Sequence, residues 1–315
     1  MDIQTRMYIF NGFLDSGKTT FLQDTILDTD FCENEKTVVI VSEEGEIEFN
    51  QERIEEMNCD LVYIDNEEDL TKDFFTSLKE KYHPTQVLIE LNGMYSTDNI
   101  INLDKPEGWE VVQVLTTINA KTFSLYINNM RSLIYNQVIR SDLIIINRID
   151  ETMKKSFLRN TLKAINGSAQ IIYEKEDGTV NTMEDDELPY DVTSDYLDIL
   201  DHDFGIFCYD ALDHPEVYNQ KTIKIRGKYI GQDKLLNNGF ILGREAMVCC
   251  EEDTSLIGMV CVHPSSSQLV PGEWVELEGK IYLKYDPEFG GNIDVLYVSD
   301  LKVIPPLKNE YVTFD

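Results

Sequence analysis

The sequence predicts an α/β protein, a mostly parallel sheet with helices on both faces, followed by a small all-β barrel of the OB-like type. Two observations predict the first half. A glycine-rich loop near the start lies between an apolar strand and a helical segment, and β-branched runs then alternate with helical segments as far as residue 175. For the second half, the pattern from residue 204 changes to short alternating strands separated by turn residues.

The first strand, 7–10, leads into the sequence Gly12-Phe-Leu-Asp-Ser-Gly-Lys-Thr-Thr20, and helical spacing follows over 20–27. This is the G-x-x-x-x-G-K-[ST] phosphate-binding loop of nucleoside triphosphatases in its expected strand–loop–helix context. We expect Lys18 to reach the β- and γ-phosphates, and to face solvent when the loop is empty, while Thr19 binds Mg²⁺. The predicted nucleotide-binding residues of the loop are Gly12, Asp15, Ser16, Gly17, Lys18, Thr19 and Thr20.

The alternation continues with buried apolar strands at 37–41, 61–64, 86–90, 111–115, 143–146 and 169–173. Helices are predicted at 70–82, around 123–138 and at 151–165. Strands that alternate with helices in this way form a mostly parallel sheet, and such sheets bind ligands at the carboxyl ends of their strands.

Acidic residues follow two of these strands at that edge. Glu90 ends its strand where a carboxylate would hold the water shell of Mg²⁺, and the N–H of Gly93 could reach the γ-phosphate. An acidic loop, 42–47, follows the strand 37–41, and its Glu43 and Glu46 are candidates for a switch ordered by the γ-phosphate. The alternative for Glu90 is a solvated charge at a strand end.

The segment Asn147-Arg-Ile-Asp150 comes directly after the strand 143–146. It resembles the N-K-x-D motif that reads guanine in GTPases, with Arg148 in place of lysine. The carboxylate of Asp150 could accept from two guanine donors, Asn147 would brace the loop, and the planar Arg148 would lie along the base. We therefore expect GTP as the nucleotide; a helix cap is the alternative reading of this short motif.

Length and composition limit the remaining possibilities. A chain of 315 residues favours two domains, and a hydrophobic content of 42% is enough for packed cores. The net charge of −31 repels phosphate backbones and anionic lipid, so we expect no nucleic acid or membrane partner. It could attract metal or simply keep the protein soluble. Without a secretory signal or long apolar run, and with six cysteines, we expect the reducing cytoplasm.

Together, the phosphate loop, the 42–47 loop, the sequence Ile89-Glu-Leu-Asn-Gly93 and the 147–150 segment resemble the CobW-like GTPases over residues 5–175. The resemblance implies kinship with GTP-dependent metal-insertion chaperones for urease, hydrogenase and cobalamin synthesis. Those proteins carry C-x-C-C after the acidic loop, whereas this chain has only Cys59 there. One thiolate cannot complete a site of about four ligands. Cys59 could join Glu43, Glu46 or Asp60, but we favour a packed side chain.

An acidic, turn-rich stretch at 176–203 is predicted to link the domain at 1–175 to the barrel at 204–315. Strands of the barrel are expected at 205–209, 222–230, 240–249, 257–262, 274–282 and 293–298. The sequences Gly243-Arg-Glu-Ala-Met-Val-Cys-Cys250 and Gly272-Glu-Trp-Val-Glu-Leu-Glu-Gly279 resemble the soluble domain of a bacterial permease-associated family. Transition-metal handling has been suggested for that family.

Four barrel residues form a candidate transition-metal site, with zinc as the expected ion: Cys249, Cys250, Cys261 and His263. Three thiolates and an imidazole would satisfy Zn²⁺, and Cys208 is a further nearby thiol. Packing of small apolar side chains in the barrel core is the equally weighted alternative.

These features predict a Mg²⁺-dependent GTPase that couples nucleotide state to delivery of a transition metal, with a client metalloprotein or permease as partner. Lys18, Thr19, Glu43 and Glu90 are the predicted catalytic residues. No activating glutamine or arginine is identifiable, so slow turnover is expected. The alternative is a GTP-dependent regulatory module that docks a protein such as a permease and binds no metal.

Overall fold

A parallel sheet forms the first half of the protein. The computed structural model describes residues 3–43, 45, 47–150, 153, 155–175, 178, 180–181, 188–234, 236–250, 253–287 and 290–312, without the side chains of 156, 180–181, 247–250 and 253. The chain divides into two compact units, 1–153 with 166–184, and 154–165 with 185–315.

Seven parallel strands of the first unit lie in the order β3-β2-β4-β1-β5-β6-β7, and the short β8 pairs antiparallel with β7. The strands are β1 Thr5–Asn11, β2 Thr37–Val41, β3 Cys59–Tyr63, β4 Gln86–Glu90, β5 Trp109–Asn119, β6 Leu143–Ile149, β7 Gln170–Lys175 and β8 Val180–Asn181. The helices are α1 Lys18–Leu27, α2 Gln51–Glu56, α3 Lys72–Tyr82, α4 Thr97–Asn102, α5 Ala120–Asn129 and α6 Arg131–Val138.

Successive side chains of the central strands pack in two separate cores, one on each face of this sheet. In β2, Val38 and Ile40 pack in the cluster that contains Phe75 of α3, whereas Val39 packs in the cluster that contains Leu22 of α1. Successive side chains of a strand point to opposite faces, so a continuous apolar run is what a sheet covered on both sides requires.

The second unit contains a closed barrel. Its five strands follow the order β11-β12-β14-β13-β10, and β10 also pairs with β11, which closes the ring; β9 adds to β10. The elements are α7 Lys155–Ile165, β9 Tyr196–Asp198, α8 Phe204–Asp213, α9 Pro215–Tyr218, β10 Thr222–Gln232, β11 Gly239–Cys250, β12 Asp253–Val262, β13 Trp274–Asp286 and β14 Gly291–Val303. The predicted fold class is confirmed for both halves.

Two predicted elements are wrong in detail. The strand expected at 205–209 is part of α8, whose Phe204, Phe207, Cys208 and Ala211 are buried at helical spacing. Short apolar runs fit a strand or a buried helix equally well, and the spacing of the whole segment decides. The helix expected around 123–138 is two helices, α5 and α6, separated at Met130.

Arg244 of β11 anchors the end of the chain within the second unit. This side chain is 1% exposed, lies over the rings of Phe204 and Trp274, and donates to the backbone oxygens of Asn309 (2.9 Å) and Tyr311 (3.1 Å). A guanidinium can be buried because its donors are satisfied in this way. Within the described residues, no helix is both long and apolar enough to cross a bilayer.

Candidate nucleotide site

The phosphate-binding loop joins β1 to α1 and is held by the strands on either side. Gly12 has φ 138° and Gly17 has φ 95°. A Cβ on Gly12 would lie 2.5 Å from both Ser16 Oγ and the backbone oxygen of Thr117 on β5, so only glycine fits there. Ser16 and Thr117 also share a 2.7 Å hydroxyl–hydroxyl hydrogen bond. The loop is therefore fixed against β5, a contact that the motif alone does not reveal.

Lys18 is not solvent-facing, so our sequence-based expectation is wrong. Its side chain is 3% exposed, and Nζ donates to the backbone oxygens of Gly12 (2.8 Å) and Phe13 (2.9 Å). The same Nζ lies 2.5 Å from Oε2 of Glu43, in the loop after β2. A buried ammonium needs such partners because desolvation of an unpaired charge is costly.

Thr19 and Glu90 lie together at the carboxyl ends of β1 and β4. Thr19 Oγ1 donates to Glu90 Oε1 at 2.5 Å, and Glu90 is 2% exposed. Burial raises the pKa of the Glu90 carboxyl, and the hydrogen bond from Thr19 partly offsets this. Within the described residues, Glu90 Oε2 has no hydrogen-bond partner. A hydroxyl and a buried carboxylate with a free oxygen suit a hard cation such as Mg²⁺.

Ser42, the first residue of the 42–47 loop, fixes this corner of the sheet. Its Oγ donates to the backbone oxygen of Glu90 and accepts from the N–H of Asn92, both at 2.8 Å. Gly93 follows, and its Cβ, if it had one, would lie 2.4 Å from the oxygen of Gly12. The strand-end glycine therefore packs directly against the phosphate loop.

The segment 147–150 reaches the same loop. Asn147 Nδ2 donates to the backbone oxygen of Ser16 at 2.6 Å, and Arg148 Nη1 donates to that of Asp15 at 3.2 Å. Arg148 has the left-handed φ of 56°, which turns the chain at the end of β6. The half-buried Asp150 follows this turn. Two side chains of the predicted base-reading segment, Asn147 and Arg148, therefore contact the loop predicted to bind phosphate.

A cleft of about 410 Å³ opens beside Thr19 and Glu90. Its polar lining consists of carboxylates and other oxygen-bearing groups, and its apolar wall includes Ile47, Phe49 and Tyr63. Gln51, the first residue of α2, also lines it and was not anticipated from the sequence. Glu46 lies outside the described residues.

Cys59 lies far from this cleft. It is the first residue of β3 and is 2% exposed, whereas Tyr63, which lines the cleft, is the last. At about 3.3 Å per residue, the two ends of the strand are roughly 13 Å apart. Cys59 therefore cannot share a metal ion with Glu43, and it is packed, as favoured.

The barrel residues predicted to bind a transition metal are described only in part. Cys261 is fully buried, and burial raises the pKa of its thiol. His263 Nδ1 accepts from the N–H of Ser265 at 3.2 Å. The side chains of Cys249 and Cys250 lie outside the described residues. Among side chains that are described, no three His, Cys, Asp or Glu residues form a group that could hold a metal ion, and the zinc site stays a prediction.

The fold and the assembled loop place the first unit in the class of P-loop, GTPase-like nucleotide-binding proteins. Within that class, residues 6–173 match the family model "CobW/HypB/UreG, nucleotide-binding domain", and the chain belongs to this family. Residues 173–313 match the model "DUF1980 C-terminal domain". The family resemblance predicted from the sequence motifs is confirmed. A search of curated proteins finds no match.

The solved structures to which the chain is similar include three that cover between 27% and 88% of it. The chain is similar to the Zn(II)-bound YjiA GTPase from E. coli, with 14% identity over 88% of this chain and 86% of that one, and a TM-score of 0.43. It is similar to the hydrogenase maturation factor HypB from Archaeoglobus fulgidus, with 16% identity over 55% and 83%, and a TM-score of 0.40. The N-terminal domain of PriB from Thermoanaerobacter tencongensis has 17% identity over 27% and 96%, and a TM-score of 0.20.

Proposed function

We propose that this protein is a Mg²⁺-dependent GTPase that couples the nucleotide state to the handling of a transition metal. The observation that carries the proposal is the convergence of Lys18, Thr19, Glu43 and Glu90 with the 147–150 segment on one loop. Thr19 and Glu90 would hold Mg²⁺, directly and through water, and the cation would neutralise charge on the phosphates. Membership of the family supports the choice of GTP.

Glu43 is the proposed switch residue because its carboxylate and the γ-phosphate would compete for the ammonium group of Lys18. Among the described residues, Lys18 Nζ has three oxygen partners, of which the Glu43 carboxylate is the charged one. A γ-phosphate within reach of Lys18 would replace that carboxylate. Glu43 would then be free to move with its loop, and hydrolysis would allow the ion pair to form again. The nucleotide state is thereby converted into the position of the loop after β2.

The base preference is tested by Asp150→Asn. Losing a carboxylate that accepts from two guanine donors should weaken GTP binding by about 1–3 kcal/mol, roughly 5- to 150-fold, and reduce the preference over ATP. Titration with fluorescent guanine and adenine nucleotides measures both effects, with the exposed Asp28→Asn as control. An unchanged preference for GTP over ATP would assign the segment to helix capping.

The metal cargo is proposed to be zinc, held by thiolates of the second unit. Equilibrium dialysis against zinc, with and without a non-hydrolysable GTP analogue, should show tight binding that survives Cys59→Ser and is lost in the Cys249→Ser/Cys250→Ser double variant. Affinity should fall at acid pH because thiolates must lose protons to bind. Zinc binding lost only in Cys59→Ser would contradict this assignment. An absence of binding by the intact protein would favour the protein-docking role without metal.

A further inference from the structure

The turn after β4 presents a free backbone donor beside the phosphate loop. Gly93 is buried, and among the described residues its N–H has no hydrogen-bond partner. The N–H groups on either side of it are both occupied: that of Asn92 donates to Ser42 Oγ at 2.8 Å, and that of Met94 donates to Asn92 Oδ1 at 2.9 Å. Buried backbone N–H groups are nearly always paired, so an unpaired one beside a phosphate loop suits an oxygen of the ligand.

The carbonyl of the same glycine is held from a different part of the chain. Gln137 lies on α6, is 2% exposed, and donates from Nε2 to the backbone oxygen of Gly93 at 2.7 Å. Its own backbone oxygen accepts from Asn11 Nδ2 at 3.4 Å, and Asn11 Oδ1 accepts from the N–H of Gly12 at 2.8 Å. One residue of α6 therefore contacts both the turn after β4 and the residue that leads into the phosphate loop.

We propose that Gln137 is a positioning residue that aims the N–H of Gly93 at the γ-phosphate and thereby makes the site prefer GTP to GDP. Glycine rotates about its backbone bonds more freely than other residues, so the chain alone does not set the direction of this N–H. Hydrogen bonds on both sides fix it, from the N–H of Asn92 to Ser42 and from Gln137 to the carbonyl of Gly93. Without the Gln137 donor, that carbonyl would lose its partner and the turn could rotate.

The effect of this contact depends on the nucleotide, and the inference rests on the proposed function. GDP has no γ-phosphate, so a donor aimed at that group adds affinity for GTP alone. A donor that is already fixed contributes more than a mobile one because binding need not order it. Losing one neutral hydrogen bond of this kind should weaken GTP binding about 3- to 10-fold and leave GDP binding unchanged. A residue that merely supported the fold would weaken the binding of both nucleotides alike.

The test compares the nucleotide affinities of full-length variants in the presence of Mg²⁺, with fluorescent GDP and a fluorescent non-hydrolysable GTP analogue. Gln137→Met keeps the length of the side chain and removes its donor. It should lower the preference for the GTP analogue over GDP about 3- to 10-fold. The matched control is Ser141→Ala, because Ser141 Oγ donates to the backbone oxygen of Gln137 at 2.9 Å. This variant alters the same buried helix end without removing the bond to Gly93, and it should keep the wild-type preference.

A second variant tests the donor itself through its pH dependence. Gln137→Glu can donate to the carbonyl of Gly93 only when the new carboxyl is protonated, and burial raises the pKa of such a group. Its preference for the GTP analogue, divided by that of the wild type at the same pH, should therefore be highest near about pH 5.5 and fall towards about pH 8.5. The same ratio for Gln137→Met should not depend on pH. A preference of Gln137→Glu as low as that of Gln137→Met at every pH would overturn the proposal.

Two results for Gln137→Met would also overturn the positioning role and leave the proposed function intact: an unchanged preference, or an equal loss of affinity for both nucleotides. Circular dichroism identifies a variant that fails to fold. If Gln137→Met fails to fold, the pH series of Gln137→Glu decides the question, because every sample in it is the same protein. Wild-type protein that binds neither guanine nucleotide would refute the proposed function itself, and the positioning role with it.

Discussion

Asp294 makes the stability of the second unit depend on pH in an unusual direction. It lies on β14, is 7% exposed, and within the described residues neither carboxylate oxygen has a hydrogen-bond partner. Burial, with a smaller contribution from Glu216 of α9, raises its pKa to about 8, from an ordinary value of 3.8. Between these two values the folded protein keeps a proton that the unfolded chain has lost. The free energy of unfolding therefore falls as pH rises through this window and levels off above it.

The size of the effect follows from the two pKa values. Each pH unit inside the window lowers the free energy of unfolding by about 1.4 kcal/mol, so about 4 kcal/mol is lost by pH 7 relative to pH 4. Asp294→Asn keeps the shape of the side chain and removes the titration. The variant should therefore match or fall below the wild type near pH 4.5 and exceed it near pH 8, where about 2–4 °C in Tm corresponds to each kcal/mol.

The assay follows unfolding of the second unit alone. Trp109 lies in the first unit and Trp274 in the second, and the chain has two tryptophans, so a Trp109→Phe background makes Trp274 the reporter. Thermal melts at pH 4.5, 6 and 8 compare the Asp294→Asn variant with the protein that keeps Asp294. The control is Asp300→Asn, on an exposed part of β14. A difference in Tm between Asp294→Asn and the protein that keeps Asp294 that is the same at all three pH values would refute the reasoning. So would a higher Tm of the variant at low pH alone.

Two further predictions concern the nucleotide site. Glu43→Gln should tighten nucleotide binding about fivefold, roughly 1 kcal/mol, because phosphate no longer displaces a charged partner of Lys18. Nucleotide titration measures this effect, with Glu48→Gln, which alters the same cleft, as the control. Unchanged or weaker binding by Glu43→Gln would contradict the prediction. Gly93→Ala should weaken binding at least about tenfold, since its Cβ would lie 2.4 Å from the oxygen of Gly12 and distort the loop. In the control Gly45→Ala, the nearest described atoms to the new Cβ, apart from its chain neighbours, are those of Ile47 at 4.0 Å, so this variant should bind normally. Equal affinities of the two alanine variants would show that the loop tolerates the displacement.

The sequence predicted those parts of the site that are built from residues close together in the chain. The phosphate loop and the 147–150 segment are short motifs in fixed strand contexts, and their meeting follows from the parallel order of β1, β5 and β6. The partnership of Lys18 with Glu43 could not be predicted in the same way. It depends on the angle at which the loop leaves β2, and no periodicity encodes that angle.

Alternation in the sequence did not identify Asp294 as buried. In the predicted strand 293–298, Val295 and Leu296 have opposite parity, and both are fully buried. Parity alone therefore could not decide which way the Asp294 carboxylate points. The helix α8 was missed because the apolar residues from 205 to 209 were assessed without the flanking Phe204 and Ala211, which carry the helical spacing.

The assignment of α7 has a consequence for how the protein could be divided. The helix lies in sequence between β6 and β7 of the first unit, yet it belongs to the second, where Arg159 and Asp213 form an ion pair and Lys163 lies 3.9 Å from the same carboxylate. The chain therefore passes between the units three times. No single cut yields both units intact: a break near residue 176 would leave Asp213 in one fragment and its two basic partners in the other. In genetic terms the two halves are interleaved, and neither could be exchanged between proteins by one recombination event without taking part of the other with it.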